Sequence, residues 1–104
     1  MIRGAKDQPR ALDLAAEAFD LWQQGDRLEE SEARYLEALS LADPADERTA
    51  DIHGAYAALL SRMNRFAEAG RQYERALQLD RNNPSAKTKS AKVKEILQQL
   101  GVRP

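Results

Sequence analysis

Few side chains in this chain could do chemistry near neutral pH. His53 is the single histidine and the group whose ordinary pKa suits a general base there. There are no cysteines, which excludes disulfides, thiol catalysis and cysteine-held zinc or iron–sulfur centres. A single histidine also excludes a two- or three-histidine metal site within one chain. Catalysis through His53 would need a nucleophile and an orienting partner beside it, and the local sequence supplies neither. A structural histidine packed between helices is favoured over a ligand contact or a pH-sensitive role.

Glu29, Glu30, Glu32 and Glu37 could in principle share acid–base work. Their spacing scatters them around one helix, so a solvated face with favourable charge near the helix N-terminus is the favoured reading. Glu30 is spaced to pair with Arg34 on the surface. Lys87, Lys89, Lys92 and Lys94 make a basic run of the kind that binds phosphates. It carries no aromatic stacking platform, and the whole chain has a net charge of −1. A solubilising face with a preference for acidic partners is favoured, and no nucleic acid is expected. Gly54 and Gly70 belong to no phosphate-binding loop, and no cofactor or metal is expected. Close helix packing accounts for Gly70, and Gly54 is read as keeping a groove open. Trp22 and Tyr35 are read as core in preference to a binding platform.

These residues need elements to hold them, and the composition points to helices. Of 104 residues, 42% are hydrophobic, 32% charged and 6% aromatic, with 5 Gly and 4 Pro. That is a globular, helix-favouring profile. No run approaches the ~20 apolar residues of a membrane span, and no secretory leader is visible. A cytoplasmic protein without membrane contact is expected. Residues 1–52 hold 6 Lys/Arg and 13 Asp/Glu, a charge of −7. Residues 53–104 hold 10 Lys/Arg and 4 Asp/Glu, a charge of +6. Two faces or two ends of opposite sign follow.

Breakers divide the chain into five helices. Asp7 with Pro9 caps the first, which runs to Gln24 before Gly25. The second runs from about Arg27 to Ala42. Asp43-Pro44 is read as the cap of the third, which ends near Met63. Asn64 is read as the cap of the fourth, which ends near Leu79-Asp80. Asn83-Pro84 opens the fifth, and Gly101 stops it. Residues 1–8 are expected to form a flexible tail and 9–100 a single all-α domain.

The helices repeat. Leu28, Tyr35, Ala38, Leu39 and Leu41 recur as Phe66, Tyr73, Ala76, Leu77 and Leu79, always 38 residues apart. At the same offset Leu14 falls on Ile52 and Trp22 on Leu60. A helix–turn–helix unit used twice cannot bury its apolar face alone, so stacking completes the core.

The second unit resembles a tetratricopeptide repeat. His53, Tyr56-Ala57, Leu60, Ala69, Tyr73 and Ala76 stand in the family's slots, followed by Arg81 and Pro84. In the first unit, Phe19 falls in the small-residue slot and Ser31 in an alanine slot. The stretch 42–50 adds about four residues to the usual ~34. The resemblance implies antiparallel helix hairpins in a right-handed superhelix: repeat 1 over about 11–43, repeat 2 over about 50–83, and a capping helix over 84–100.

The resemblance also implies a function, that of a non-catalytic protein–protein interaction module. Its members hold a peptide in the concave face made by the first helix of each pair, here helices 1, 3 and 5. The family's facing positions fall on Asp13, Ala16, Glu17, Asp20 and Gln24 of helix 1. On helix 3 they fall on Asp51, Gly54, Ala55, Ala58 and Arg62. On helix 5 they fall on Ser85, Thr88, Lys89, Lys92 and Ile96. One branch of the family grips the C-terminal carboxylate of chaperones with Lys, Asn and Arg. The matching slots here hold Glu17, Asp51 and Ala55, so that binding is not expected. The alternative is a structural, self-assembling unit. An uncapped N-terminal stacking face with Phe19 and Trp22 partly exposed would pair two copies as a homodimer, and a monomer stays open beside it.

Overall fold

The Asp7 side chain accepts a hydrogen bond from the Arg10 backbone N–H (3.1 Å) and so opens α1 (Gln8–Gln23), with proline in its first turn. The fold is that of a computed structural model, which describes residues 6–101. Within these residues lie α2 (Leu28–Leu41), α3 (Thr49–Arg62), α4 (Phe66–Leu79) and α5 (Pro84–Gln99). There is no strand among the described residues. No helix among them is long and apolar enough to cross a membrane. Residues 1–5 of the expected tail lie outside the described residues. Its last residues are held in place: the Asp7 N–H donates to the Leu41 carbonyl (2.8 Å), and Lys6 Nζ donates to the Ser40 carbonyl (3.1 Å).

Two expected caps do other work. Asp43 does not begin α3. Its side chain accepts from the Ala45 N–H (2.9 Å), and Asp46 accepts from the Arg48 N–H (2.8 Å). These local turns compete with helix, so α3 starts five residues after Pro44. Thr49 Oγ1 donates to the Asp43 carbonyl (2.6 Å). Gln8 closes the same loop from the start of α1, donating to Thr49 Oγ1 (3.2 Å) and accepting from the Asp43 N–H (2.7 Å). Asn64 does not cap α4 either. It sits in the left-handed region at φ 63° and ends α3. The Arg65 N–H reaches the Leu60 carbonyl (2.8 Å), and the Asn64 N–H reaches Ser61 (3.0 Å), the pattern of a Schellman stop. Asn83 behaves as expected, accepting from the Ala86 N–H (3.0 Å) in a cap that contributes ~1 kcal/mol.

Each helix buries one stripe. Leu14, Tyr35, Ile52, Leu59 and Leu60 are fully enclosed, each aliphatic side chain contributing ~1.5–3 kcal/mol. The first hairpin pairs α1 with α2, and the second pairs α3 with α4. α2 packs on α3 to join the hairpins, and α5 covers α4. Tyr35 and Tyr56 meet across the junction with ring centroids 5.8 Å apart. The result is elongated, 48 × 32 × 23 Å.

The two hairpins are not quite equal. α2 and α4 begin and end 38 residues apart, whereas the ends of α1 and α3 are 39 apart. The left-handed residues that follow them, Gly25 (φ 96°) and Asn64, are also 39 apart. The first turn carries one more residue. On α1 the repeat must therefore be counted at 39, which overturns the pairing of Leu14 with Ile52 and of Trp22 with Leu60. The small-residue slot is filled by Ala18, which matches Ala57; both are fully buried. Phe19 lies outside it, 46% exposed.

The corrected register changes the N-terminal end as well. The slots that hold Ile52, Tyr56 and Leu59 in α3, all buried, hold Asp13, Glu17 and Asp20 in α1, all exposed. That end is faced with carboxylates, which suit a surface open to solvent. The expected apolar stacking face does not form there.

Candidate functional site

A groove of about 440 Å³ runs across α1, α3 and α5, within the ~300–1,000 Å³ of ordinary ligand clefts. Its floor is small: Ala50, Gly54, Ala55 and Ala58 from α3, with Ala86 from α5. A Cβ placed on Gly54 would meet nothing within 4 Å, so the glycine faces open space. Phe19, Trp22 and Gln23 of α1 form one wall. Phe19 meets Trp22 edge-on, with centroids 5.5 Å apart and planes at 79°. Trp22 Nε1–H donates to the Tyr35 hydroxyl (3.0 Å), which anchors the indole to α2. Burial pushes the Tyr35 phenol up to about 12, with the Trp22 hydrogen bond acting the other way. Trp22 is thus both anchored and groove-lining.

The opposite wall is Lys89 with Asn83. Asn83 Nδ2 donates to Asp51 Oδ1 (3.2 Å), tying the start of α5 to the start of α3. Beyond Lys89 a second cleft of about 310 Å³ opens between α3, α4 and α5. Ala58 and Lys89 line both clefts, so the two adjoin. Phe66, Tyr73, Val93 and Ile96 make the second cleft apolar, and Lys92 stands with Lys89 at its edge. The ion pairs among the described residues are made by Arg27, Arg48 and Arg65. None engages Lys89 or Lys92.

Of the positions expected to face a partner, Asp51, Gly54, Ala55, Ala58 and Lys89 line the groove, and Lys92 and Ile96 line its extension. Arg62 and Thr88 are exposed but line neither. The side chain of Ser85 lies outside the described ones. The α1 positions are displaced. Asp13, Ala16, Glu17, Asp20 and Gln24 are exposed and do not line the groove. Counting at 38 in place of 39 turns the chosen face of α1 by about 100°. At 39, Phe19 matches Ala58 and Gln23 matches Arg62. The signal for this was present in the longer Gly25-Asp26-Arg27 turn.

His53 stands away from the groove. Its Nδ1 shares a hydrogen with Gln72 Oε1 (2.7 Å), and burial lowers its pKa, with Arg75 adding to the effect. The carboxylates of α2 also differ from expectation. Glu30 pairs with Arg27 in place of Arg34. Glu32 is drawn into the junction between hairpins, where it accepts from the Tyr56 hydroxyl (2.6 Å) and from Arg65 (2.8 Å). Arg65 holds the Glu32 carboxyl below its usual range, and Tyr56 acts in the same direction. Arg65 also binds Glu68 through two nitrogens (2.6 and 2.9 Å).

No family model matches the chain, and neither a curated protein nor a solved structure matches it.

Proposed function

We propose that this chain is a non-catalytic interaction module of the tetratricopeptide kind, which holds a segment of a partner protein in the groove of α1, α3 and α5. The observation that carries this reading is the open, small-residue floor from Ala50 to Ala58, walled by Trp22 on one side and Lys89 on the other. Alanine and glycine on a helix face let a backbone approach closely. Flanking aromatic and charged side chains then select among segments. The residue pattern at Ala69, Tyr73 and Ala76 supports the same reading, with all three buried in the second hairpin. Recognition of this kind needs shape and charge on a rigid surface and no acid–base chemistry, which suits a His53 already bonded to Gln72.

The test compares proteins retained from a cell extract by the parent chain and by an Ala58→Arg variant of unchanged helicity. The groove reading expects partners held by the parent and lost by the variant. The same partners on both would reject it.

A further inference from the structure

We propose that the groove selects polarity: its α5 half takes an acidic residue beside an aliphatic or aromatic anchor, and its α1 half takes an uncharged apolar residue. The proposal rests on the groove reading above and adds the chemistry of the partner.

Three observations support it. Lys89 and Lys92 stand one turn apart on α5, both exposed, both lining the second cleft and neither engaged in an ion pair with a described residue. Behind them the cleft is apolar, walled by Phe66, Val93 and Ile96. A site of this composition receives a side chain that buries hydrocarbon, next to one whose carboxylate reaches an ammonium. At the other end, the carboxylates of Asp13, Glu17 and Asp20 lie off the groove, so nothing there calls for a basic partner. The wall is instead the edge-to-face pair of Phe19 and Trp22. Asp51, the acidic residue of the groove lining, already accepts from Asn83. That carboxylate keeps its charge at the start of α3, so the positive charge offered to a ligand lies on the α5 side, at Lys89 and Lys92.

A single-stranded nucleic acid would also present negative charge, but it requires stacking surfaces beside the cations. Beside the lysines the aromatic residues are Tyr73, which is buried, and Phe66, which is half-buried, so neither offers an open ring face, and the exposed Phe19 lies on the α1 side. An acidic, apolar peptide fits this spacing better.

Random dodecapeptides displayed on phage, selected on the intact chain, test this directly. Enriched peptides should place Asp or Glu next to Leu, Ile, Phe or Met. Their synthetic forms should perturb the emission of Trp22, the single tryptophan. Affinity should fall about ten-fold or more in Lys89→Glu/Lys92→Glu. It should also weaken between about 0.1 and 1 M salt, as the screening length drops from about 10 to 3 Å. Enrichment of neutral or basic peptides that are lost in Ala58→Arg but kept in the lysine double variant would overturn the polarity and leave the groove. Absence of any Ala58-dependent peptide would overturn both. An oligothymidylate that displaces the peptides and binds more tightly than they do, with the same lysine dependence, would replace the peptide with nucleic acid.

Discussion

Ser31 Oγ donates to the Ala18 carbonyl at 2.6 Å across the first hairpin. Both residues are fully buried. This contact sets α1 against α2 at the slots that hold Ala57 and Ala69, both fully buried, in the second hairpin. A hydroxyl is tolerated in that slot because a helix carbonyl has a second lone pair to offer. Ser31→Ala should cost ~1 kcal/mol, whereas Ser31→Leu should cost ~1–3 kcal/mol through overpacking. Ala76, also fully buried, gives the harsher case: Ala76→Glu buries an unpaired charge and should cost roughly 3 kcal/mol or more. Urea midpoints for the three variants check the order, and an Ala76→Glu chain as stable as its parent would remove α4 from the core.

Acid should weaken the fold in two stages. The half-buried His53 has a pKa below its ordinary 6.5, so the unfolded chain binds more protons in mild acid. That contribution is complete above about pH 6.5 and is lost as pH falls below it. Glu32 has a pKa below its ordinary 4.5. Its contribution is present above about pH 4.5 and is lost as pH falls through the lowered value. His53→Gln should flatten the stability curve between about pH 7 and 5 and leave the lower stage in place. Denaturation curves at intervals from pH 8 to 3 separate the two, and an unchanged upper slope in His53→Gln would count against the half-buried, neutral imidazole.

The carboxylate face of α1 should keep the chain monomeric. Asp13, Glu17 and Asp20 occupy the slots that carry Ile52, Tyr56 and Leu59 in α3. Exchanging them for Ile, Tyr and Leu would expose an apolar stacking surface, which buries at ~25 cal/mol per Å² when paired. Sedimentation should show an 11.7 kDa species for the parent and larger species for the triple variant. A parent dimer that survives Trp22→Glu would show a contact elsewhere, such as the exposed Leu36.

Glycine replacement should stabilise two helices. Gly54 and Gly70 lie within α3 and α4. A Cβ at Gly70 would meet Val93 Cγ1 at 3.6 Å, an ordinary contact, and one at Gly54 meets nothing. Either change to Ala should add ~0.5–1 kcal/mol and raise Tm by ~2–8 °C. Gly25→Ala should do the reverse, because Gly25 sits at φ 96°. Thermal melts of the three variants decide the matter.

Five helices, their caps at Asp7 and Asn83, and the buried stripe of Tyr35, Ala38, Tyr73 and Ala76 can be read from residue order alone. Helix periodicity and capping act over three or four residues, so a linear pattern carries them. Tertiary structure decided what depends on distant partners. Asp43 and Asn64 look like helix caps until Gln8 and Thr49 close one loop and the left-handed turn of Asn64 ends α3. Glu32 looks like one more solvated carboxylate until Arg65, 33 residues away, draws it into the junction. The face that α1 turns to the groove is the most sensitive case. One extra residue in the Gly25 turn rotates the helix register by about 100°, which moves Phe19 and Trp22 into the groove and Asp13, Glu17 and Asp20 to the closed end. An apolar stripe marks what is buried; only packing against α2 decides which of the remaining faces meets a partner.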